Sequence, residues 1–460
     1  MFRQAALIDL PDWPRFGPDP PGAPPAIPIE EYRARLGALR TAMAGRGLTH
    51  LALFGDREHS ANLLWALNFD PRFEEALLIV SAAGPPLLLT GNECAAYLPI
   101  SPLWRSGELR HELYQPFSLL DQPRDASRVL EQIFAAEGIG ASARVGVTGW
   151  RYYADRSQMD APAYIVDALR ARAGRVEDAT DLLMHPHHGL RTHCTAAETA
   201  LFEHSNWKAS EAMRRVFFAA REGMTDFELL AHAGYDGTPL SCHMTLKTGP
   251  HRISLASPSG ARLERGYPWS CNVAYWGSNV CRANWVAESA DDLPAAARDY
   301  VEAFAAPYYA AMGAWLAALR IGTPGGVLHD LIQTRLPFAK FGIFLNAGHL
   351  IHYDEWVSSP IFAGSTIPIR SGMVFQTDVI PSSKTHFSTR LEDGLAIADA
   401  QLRTELAARF PDTARRIDAR REFCRRQLGL PLADEHLPLS NTFGLAPPFL
   451  LNPRRVLALK

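Results

Sequence analysis

The chain lacks any apolar run near the ~20 residues a membrane-spanning helix requires. Its longest apolar stretches, such as LALF and EALLIV, are strand-sized. It has little excess charge: a net charge of −3 over 460 residues gives no electrostatic footing for nucleic acid or an anionic membrane surface. Cysteine is sparse, six residues with no CxxC pair, which predicts buried free thiols in a reducing compartment rather than disulfides or a zinc cluster. The opening MFRQAALIDLPDWPRFGPDPP has no long apolar core and no small-residue cleavage site. No secretion signal is therefore expected, and the cytoplasm is the expected location. There is no GxSxG nucleophile elbow, and the HLIH at 349–352 is not the HExxH zinc pattern.

What is present is ordinary globular material, 47% hydrophobic and 21% charged, long enough for two or three domains. Residues 1–28 are Pro-rich and aperiodic, and read as an extended segment over the surface. Residues 29–190 alternate helical patterns with short apolar strands and predict an α/β domain. There IEEYRARLGALRTAMAGRG sets Tyr32, Leu36, Leu39 and Met43 on one helical face. THLALFG, EEALLIV, PPLLLTG and VGVTG read as strands. MHPHHGLRTHCTAAE reads as a polar linker whose histidines are solvated.

A second domain is expected over 193–400, opening with a long helix from about Ala197 to Glu222. Thr225 and Glu228 then form a capping box for the next helix. PWSCNVAYWGSNVCRANWV, dense in aromatic and β-branched residues, predicts a hairpin. A second long helix is expected over about Pro294–Leu319. Residues 401–460 read as a helical extension and a Pro-rich tail.

The chemistry concentrates in 346–394: NAGHLIHYDEWVSSP, then SGMVFQTDVIP, then STRLEDGLAIAD. His349, Asp378 and Glu392 each sit in an apolar, turn-bounded context. Polar groups in such places must be satisfied by partners. Three of them converging from separate segments would make a charged, partly buried pocket, the usual address of a functional site. His349 reads as a ligand or general acid/base, or as a packed histidine bonded to a carbonyl. His352 and Asp354, two residues apart, share a face if the segment is extended. They read as an acid/base pair or as a surface ion pair. His243 and His251, ahead of the hairpin, are further candidates to enter the pocket.

Together, GDREHSANLLWALNFDPRFEEALLIV, the long helix, REGMTDFELL, the hairpin ending in Cys281-Arg282, Gly348-His349, SGMVFQTD and LEDG resemble the pita-bread family of creatinase, prolidase, aminopeptidase P and methionine aminopeptidase. The resemblance covers roughly residues 29–398. It implies a creatinase-type N-terminal α/β domain and a C-terminal pita-bread domain with a curved antiparallel sheet and helices behind it. It also implies a homodimer.

Metal-dependent members of that family hold two divalent ions with two Asp, one His and two Glu. His349 matches the ligand histidine, Asp378 stands where the first Glu stands, and Glu392 stands for the last Glu. Asn279 replaces the second Asp, and the first Asp has no counterpart, since Pro268 or Asn272 would align there. The −2 left on Asp378 and Glu392 is too little for two divalent ions, and amide oxygens are weaker ligands. One ion (Mn, Fe, Zn or Co) held by His349, Asp378 and Glu392 is chemically allowed. So is none, as in creatinase, where such carboxylates bind a cationic substrate.

The leading expectation is a C–N hydrolase for a small substrate, with His349, Asp378, Glu392 and His352 catalytic. His251, His243, Asn279 and Asp354 would contact substrate. The alternatives are a one-metal aminopeptidase or prolidase-like peptidase, and a non-catalytic binding module. No nucleic-acid or membrane partner is expected.

Overall fold

The computed structural model describes residues 4–20, 22–250 and 255–460. The chain divides into two compact units, one of residues 27–192 and one of 1–26 with 193–460.

The 27–192 unit is built on a six-stranded mixed sheet. Its spatial order is Arg110–Leu113, Leu87–Thr90, Ala76–Ser81, His50–Gly55, Arg144–Thr148, Arg175–Asp178. The meander His50–Gly55, Ala76–Ser81, Leu87–Thr90 is antiparallel, and the outer pairings are parallel. The strand His50–Gly55 is buried along its whole length, as its unalternating HLALFG pattern requires of a strand covered on both faces. The helix Ile29–Gly45 buries Tyr32, Leu36, Leu39 and Met43, the face read from its spacing. One core packs Leu77, Ile79, Leu89, Phe134, Val145, Val147, Ile165 and Leu169 between sheet and helices.

In the histidine-rich segment His188 is exposed and His185 and His187 are half-buried, but the segment is not wholly solvated. Arg191 is buried and donates to Asn62 Oδ1 at 2.7 Å, and the rings of His185 and His188 stack at 4.1 Å. A buried guanidinium that finds an amide partner holds this segment down, where polarity alone suggested solvent.

In the other unit the helix Ala196–Ala219 opens with a capping box between Thr195 and Glu198, and Asp226–Ala231 with one between Thr225 and Glu228. The hairpin Pro268–Val273 and Val280–Trp285 carries Thr245–Thr248 as a third antiparallel strand. A second antiparallel sheet runs His349–Leu350, Val374–Gln376, Gly394–Ile397, His436–Pro438. The two sheets are joined where the Cys281 N–H donates to the Glu392 carbonyl at 3.1 Å. That junction becomes the floor of the site. The expected helix over 294–319 begins later, at Ala306, after a π turn at Val301–Ala305. Pro307 has no N–H to give, so the α ladder cannot run through it.

Residues 5–13 are held against residues 453–459. Ala5–Asp9 pairs antiparallel with Arg455–Leu459, and buried Trp13 donates its indole N–H to the Pro453 carbonyl at 2.8 Å. Nor do residues 401–460 stand apart. His436–Pro438 completes the second sheet, and the helix Pro411–Arg426 is tied to the long helix by buried Glu203, which accepts from Arg416 (2.9 Å) and Arg420 (2.6 Å). A pairing across some 450 residues leaves no local trace in the sequence, which is why these segments read as surface and tail.

Candidate functional site

The site grows from the edge strand His349–Leu350. Gly348 takes φ +104°, and a Cβ there would meet the Trp315 ring at 2.9 Å, so only glycine delivers the following histidine in this pose. His349 pairs across the sheet with Gln376 and is fully buried. Its Nδ1 lies 3.2 Å from the Leu350 carbonyl, which assigns that nitrogen as the donor and turns Nε2 toward the pocket. The Trp356 ring stacks on the imidazole at 4.0 Å and 19°.

Thr377 sets the next two residues. Its N–H donates to the Asp393 carbonyl (3.0 Å) and its hydroxyl to the Leu391 carbonyl (2.6 Å), clamping the segments that carry Asp378 and Glu392. Arg282 braces the same place from the hairpin. Its guanidinium donates to the Glu392 carbonyl (2.9 Å), to Asp393 (2.6 Å) and to the Leu445 and Thr442 carbonyls (both 2.9 Å). Asp393, in turn, accepts the Ser440 and Thr442 hydroxyls. Arg282 and Asp393 are thus the scaffold under Glu392.

Around the pocket, His349 Nε2 stands 3.3 Å from Glu355 Oε1 and 3.8 Å from Asp378 Oδ2. Asn279 Nδ2 donates to Glu392 Oε1 at 2.7 Å and to Glu355 Oε1 at 3.3 Å. Arg390 reaches in with Nη1 3.3 Å from Cys281 Sγ. Sequence reading missed Glu355 and Arg390 as pocket residues. Glu355 was visible beside His352 and Asp354, and Arg390 lies two residues before Glu392. Neither carried a signal of its own, because a bend and a strand approach bring them in.

The electrostatics follow from crowding. Burial, then Asp378, Cys281 and Glu355, push the Glu392 carboxyl well above its ordinary range. Burial also raises Asp378, against the pull of His349 and Arg390. Burial opposes a charge on His349, yet Glu355 and Asp378 together raise its pKa. Glu355 is the converse: burial pushes it up, but the His349 charge holds it below the usual carboxylate range.

Three carboxylates against the one guanidinium leave two negative charges when all are ionised. Asp378 Oδ1 and Asn279 Oδ1 are buried with no hydrogen-bond partner among the described residues. Ligand atoms of His349, Glu355 and Glu392 lie within 4.8 Å of one another. Orphaned acceptors converging on a doubly negative pocket fit one divalent ion or one organic cation. They do not supply the charge for two ions.

The other residues singled out from the sequence fall elsewhere. His352 is buried, but its Nε2 meets Glu198 Oε1 at 3.0 Å, in a different group from His349. His352 and Asp354 do not share an extended face. The segment bends, and the His352 N–H donates to the Asp354 carbonyl at 3.1 Å. His243 is exposed just ahead of Thr245–Thr248. His251 lies outside the described residues. Asn272 is turned to the neighbouring strand, where its Oδ1 accepts the Thr245 N–H at 3.0 Å. Among the described residues no helix is long and apolar enough to cross a membrane.

No protein-family model matches the chain, and no curated protein matches it by sequence. Solved structures do match. Dipeptidase PepE from Mycobacterium ulcerans is 20% identical with a TM-score of 0.58, over 81% of this chain and 94% of its own. The prolidase from Pyrococcus horikoshii is 12% identical with a TM-score of 0.61, over 79% and 95%. The N-terminal domain of FACT complex subunit SPT16 from Cicer arietinum is 14% identical with a TM-score of 0.57, over 81% and 95%. The chain has the mixed α/β architecture of the pita-bread fold.

Proposed function

We propose that the protein is a hydrolase acting on a C–N bond, of amide or amidine type, in a small substrate, without a dinuclear metal centre. The observation that carries this reading is the buried, carboxylate-rich pocket in which His349 Nε2 and the Glu355, Asp378 and Glu392 side chains converge. Two pita-bread neighbours described as a dipeptidase and a prolidase support C–N cleavage as the class. In this reading Asp378 and Glu392 grip a cationic or N–H-bearing group, and Glu355 holds His349 for proton transfer. Asn279 orients both Glu355 and Glu392. His349 takes a proton from water as it attacks the carbonyl or amidine carbon, and returns it to the leaving nitrogen. The stacked Trp356 keeps the imidazole in plane for both transfers.

The second reading, a one-metal aminopeptidase or prolidase-like enzyme, is favoured by the same ligand atoms. His349, Glu355 and Glu392, with Asp378 beside them, would hold one divalent ion, which when bound would supply Lewis acidity and a more acidic water. A homodimer is proposed from the family resemblance.

The test is hydrolysis of a panel of N-acyl, N-amidino and Xaa-Pro substrates by purified protein, with elemental analysis before and after chelator. Turnover that survives chelation supports the first reading. One ion per chain lost together with activity selects the second. Two ions per chain, or Glu392→Gln turning over every substrate as wild type does, overturns both.

A further inference from the structure

A second group of ligand-bearing side chains lies in the same unit and has no residue in common with the His349 pocket. One ligand atom from each of Cys194, Glu198 and His352 lies within 4.8 Å of the other two. All three residues are buried, at 7%, 1% and 0% exposure. Their positions are fixed from different directions. Cys194 precedes the N-cap of the helix Ala196–Ala219, and its N–H donates to the Gly372 carbonyl at 2.7 Å. Glu198 is the third residue of that helix. Its Oε2 accepts the Thr195 N–H at 2.9 Å, which leaves Oε1 facing His352 Nε2 at 3.0 Å. His352 is gripped edge-on by the rings of Phe202 (4.9 Å) and Tyr353 (4.8 Å).

A thiol, an imidazole and a carboxylate, all buried and packed beside the Phe202 and Tyr353 rings, are donors that zinc takes. Thiolate and carboxylate bring two negative charges, so a bound Zn²⁺ makes the buried centre neutral; the displaced thiol proton passes to solvent. The sulfur also selects against the harder, oxygen-preferring ions suited to the all-nitrogen-and-oxygen pocket at His349.

We propose that Cys194, Glu198 and His352 form a zinc-binding site with three protein ligands. It ties the start of the long helix to the bend that follows His349. Because Glu355 and Trp356 lie on that bend, the site is a tether for the pocket residues rather than part of the reacting group.

Cobalt reads the site directly. Metal-stripped full-length protein is titrated with Co²⁺ alone and followed in the near ultraviolet for the thiolate-to-cobalt charge-transfer band. The protein is then challenged with Zn²⁺ and assayed for bound metal. Wild type and a His349→Ala/Glu392→Gln double variant are expected to show the band, to lose it on adding Zn²⁺, and to retain about one zinc per chain at this site. Cys194→Ala, with wild-type circular dichroism, is expected to lack the band. The proposal is overturned if wild type shows no band, or if Cys194→Ala keeps it. It is equally overturned if the double variant loses the band while remaining folded. If Cys194→Ala does not fold, the wild-type and double-variant titrations alone decide.

Discussion

Replacing Glu392 by Gln should stabilise the cation-free protein at alkaline pH while removing its function. Glu392 is 3% exposed, faces Asp378, and accepts one hydrogen bond from Asn279. Its raised pKa means that the folded state holds a proton the unfolded chain gives up. For a carboxyl raised in this way, the stabilising contribution is complete below the ordinary glutamate range and is lost as pH rises toward the folded value. His349, also raised, adds in the same direction above the ordinary histidine value. Glu355, lowered, contributes fully above the ordinary carboxylate range and is constant through this window.

Each pH unit between the unfolded and folded values of one group is about 1.4 kcal/mol. The amide of Gln keeps the neutral shape and a donor for Asp378. The variant should therefore gain on wild type by up to about 1.4 kcal/mol for each pH unit above the ordinary glutamate range, and nothing below that range. Urea melts of chelator-treated protein at intervals across that range would show wild type losing stability with pH more steeply than the variant, in which His349 and Asp378 still titrate. Parallel curves would refute the reasoning. So would a variant destabilised equally at every pH, since either result means that Glu392 carries no trapped proton.

Three other outcomes follow from the same contacts. Asp393→Ala strips buried Arg282 of the only carboxylate partner it has among the described residues, and should cost about 3–5 kcal/mol in urea melts, with turnover falling as Glu392 loses its support. Glu203→Ala leaves Arg416 and Arg420 buried without the carboxylate they share. Its cost should be similar, and proteolysis should begin in 411–426. Trp356→Leu removes the ring stacked on His349. It should lower stability by only about 0.5–1.5 kcal/mol but shift the pH profile of turnover, whereas an unmoved profile would detach Trp356 from proton transfer.

Much of the fold could be read locally. The helix Ile29–Gly45, both threonine–glutamate capping boxes and the 268–285 hairpin each carry their signal within a short span of residues. His349, Asp378 and Glu392 stood out because each is polar in an apolar strand context. The misses share one cause. Glu355 comes in on a bend, and His352 turns to Glu198, 154 residues away, so partner choice depended on tertiary placement. Nothing near Asp393 in the sequence hints at Arg282, 111 residues earlier. The charge of the pocket was nonetheless the same by either route, since the carboxylate the sequence left out is offset by the guanidinium it also left out.

The pairing of Ala5–Asp9 with Arg455–Leu459 has a consequence for how the protein is made. During synthesis the 27–192 sheet can complete its strands as soon as it leaves the ribosome. The first strand has no partner until residues 455–459 have been made, so the unit that carries the pocket closes only after they emerge. The N–H of Lys460 donates to the Gln4 carbonyl at 2.9 Å, so a short peptide can join residue 460 to residue 4. A circular permutant reopened at an exposed loop would have both strands in hand early, and should reach the native state faster than the natural order of the chain allows.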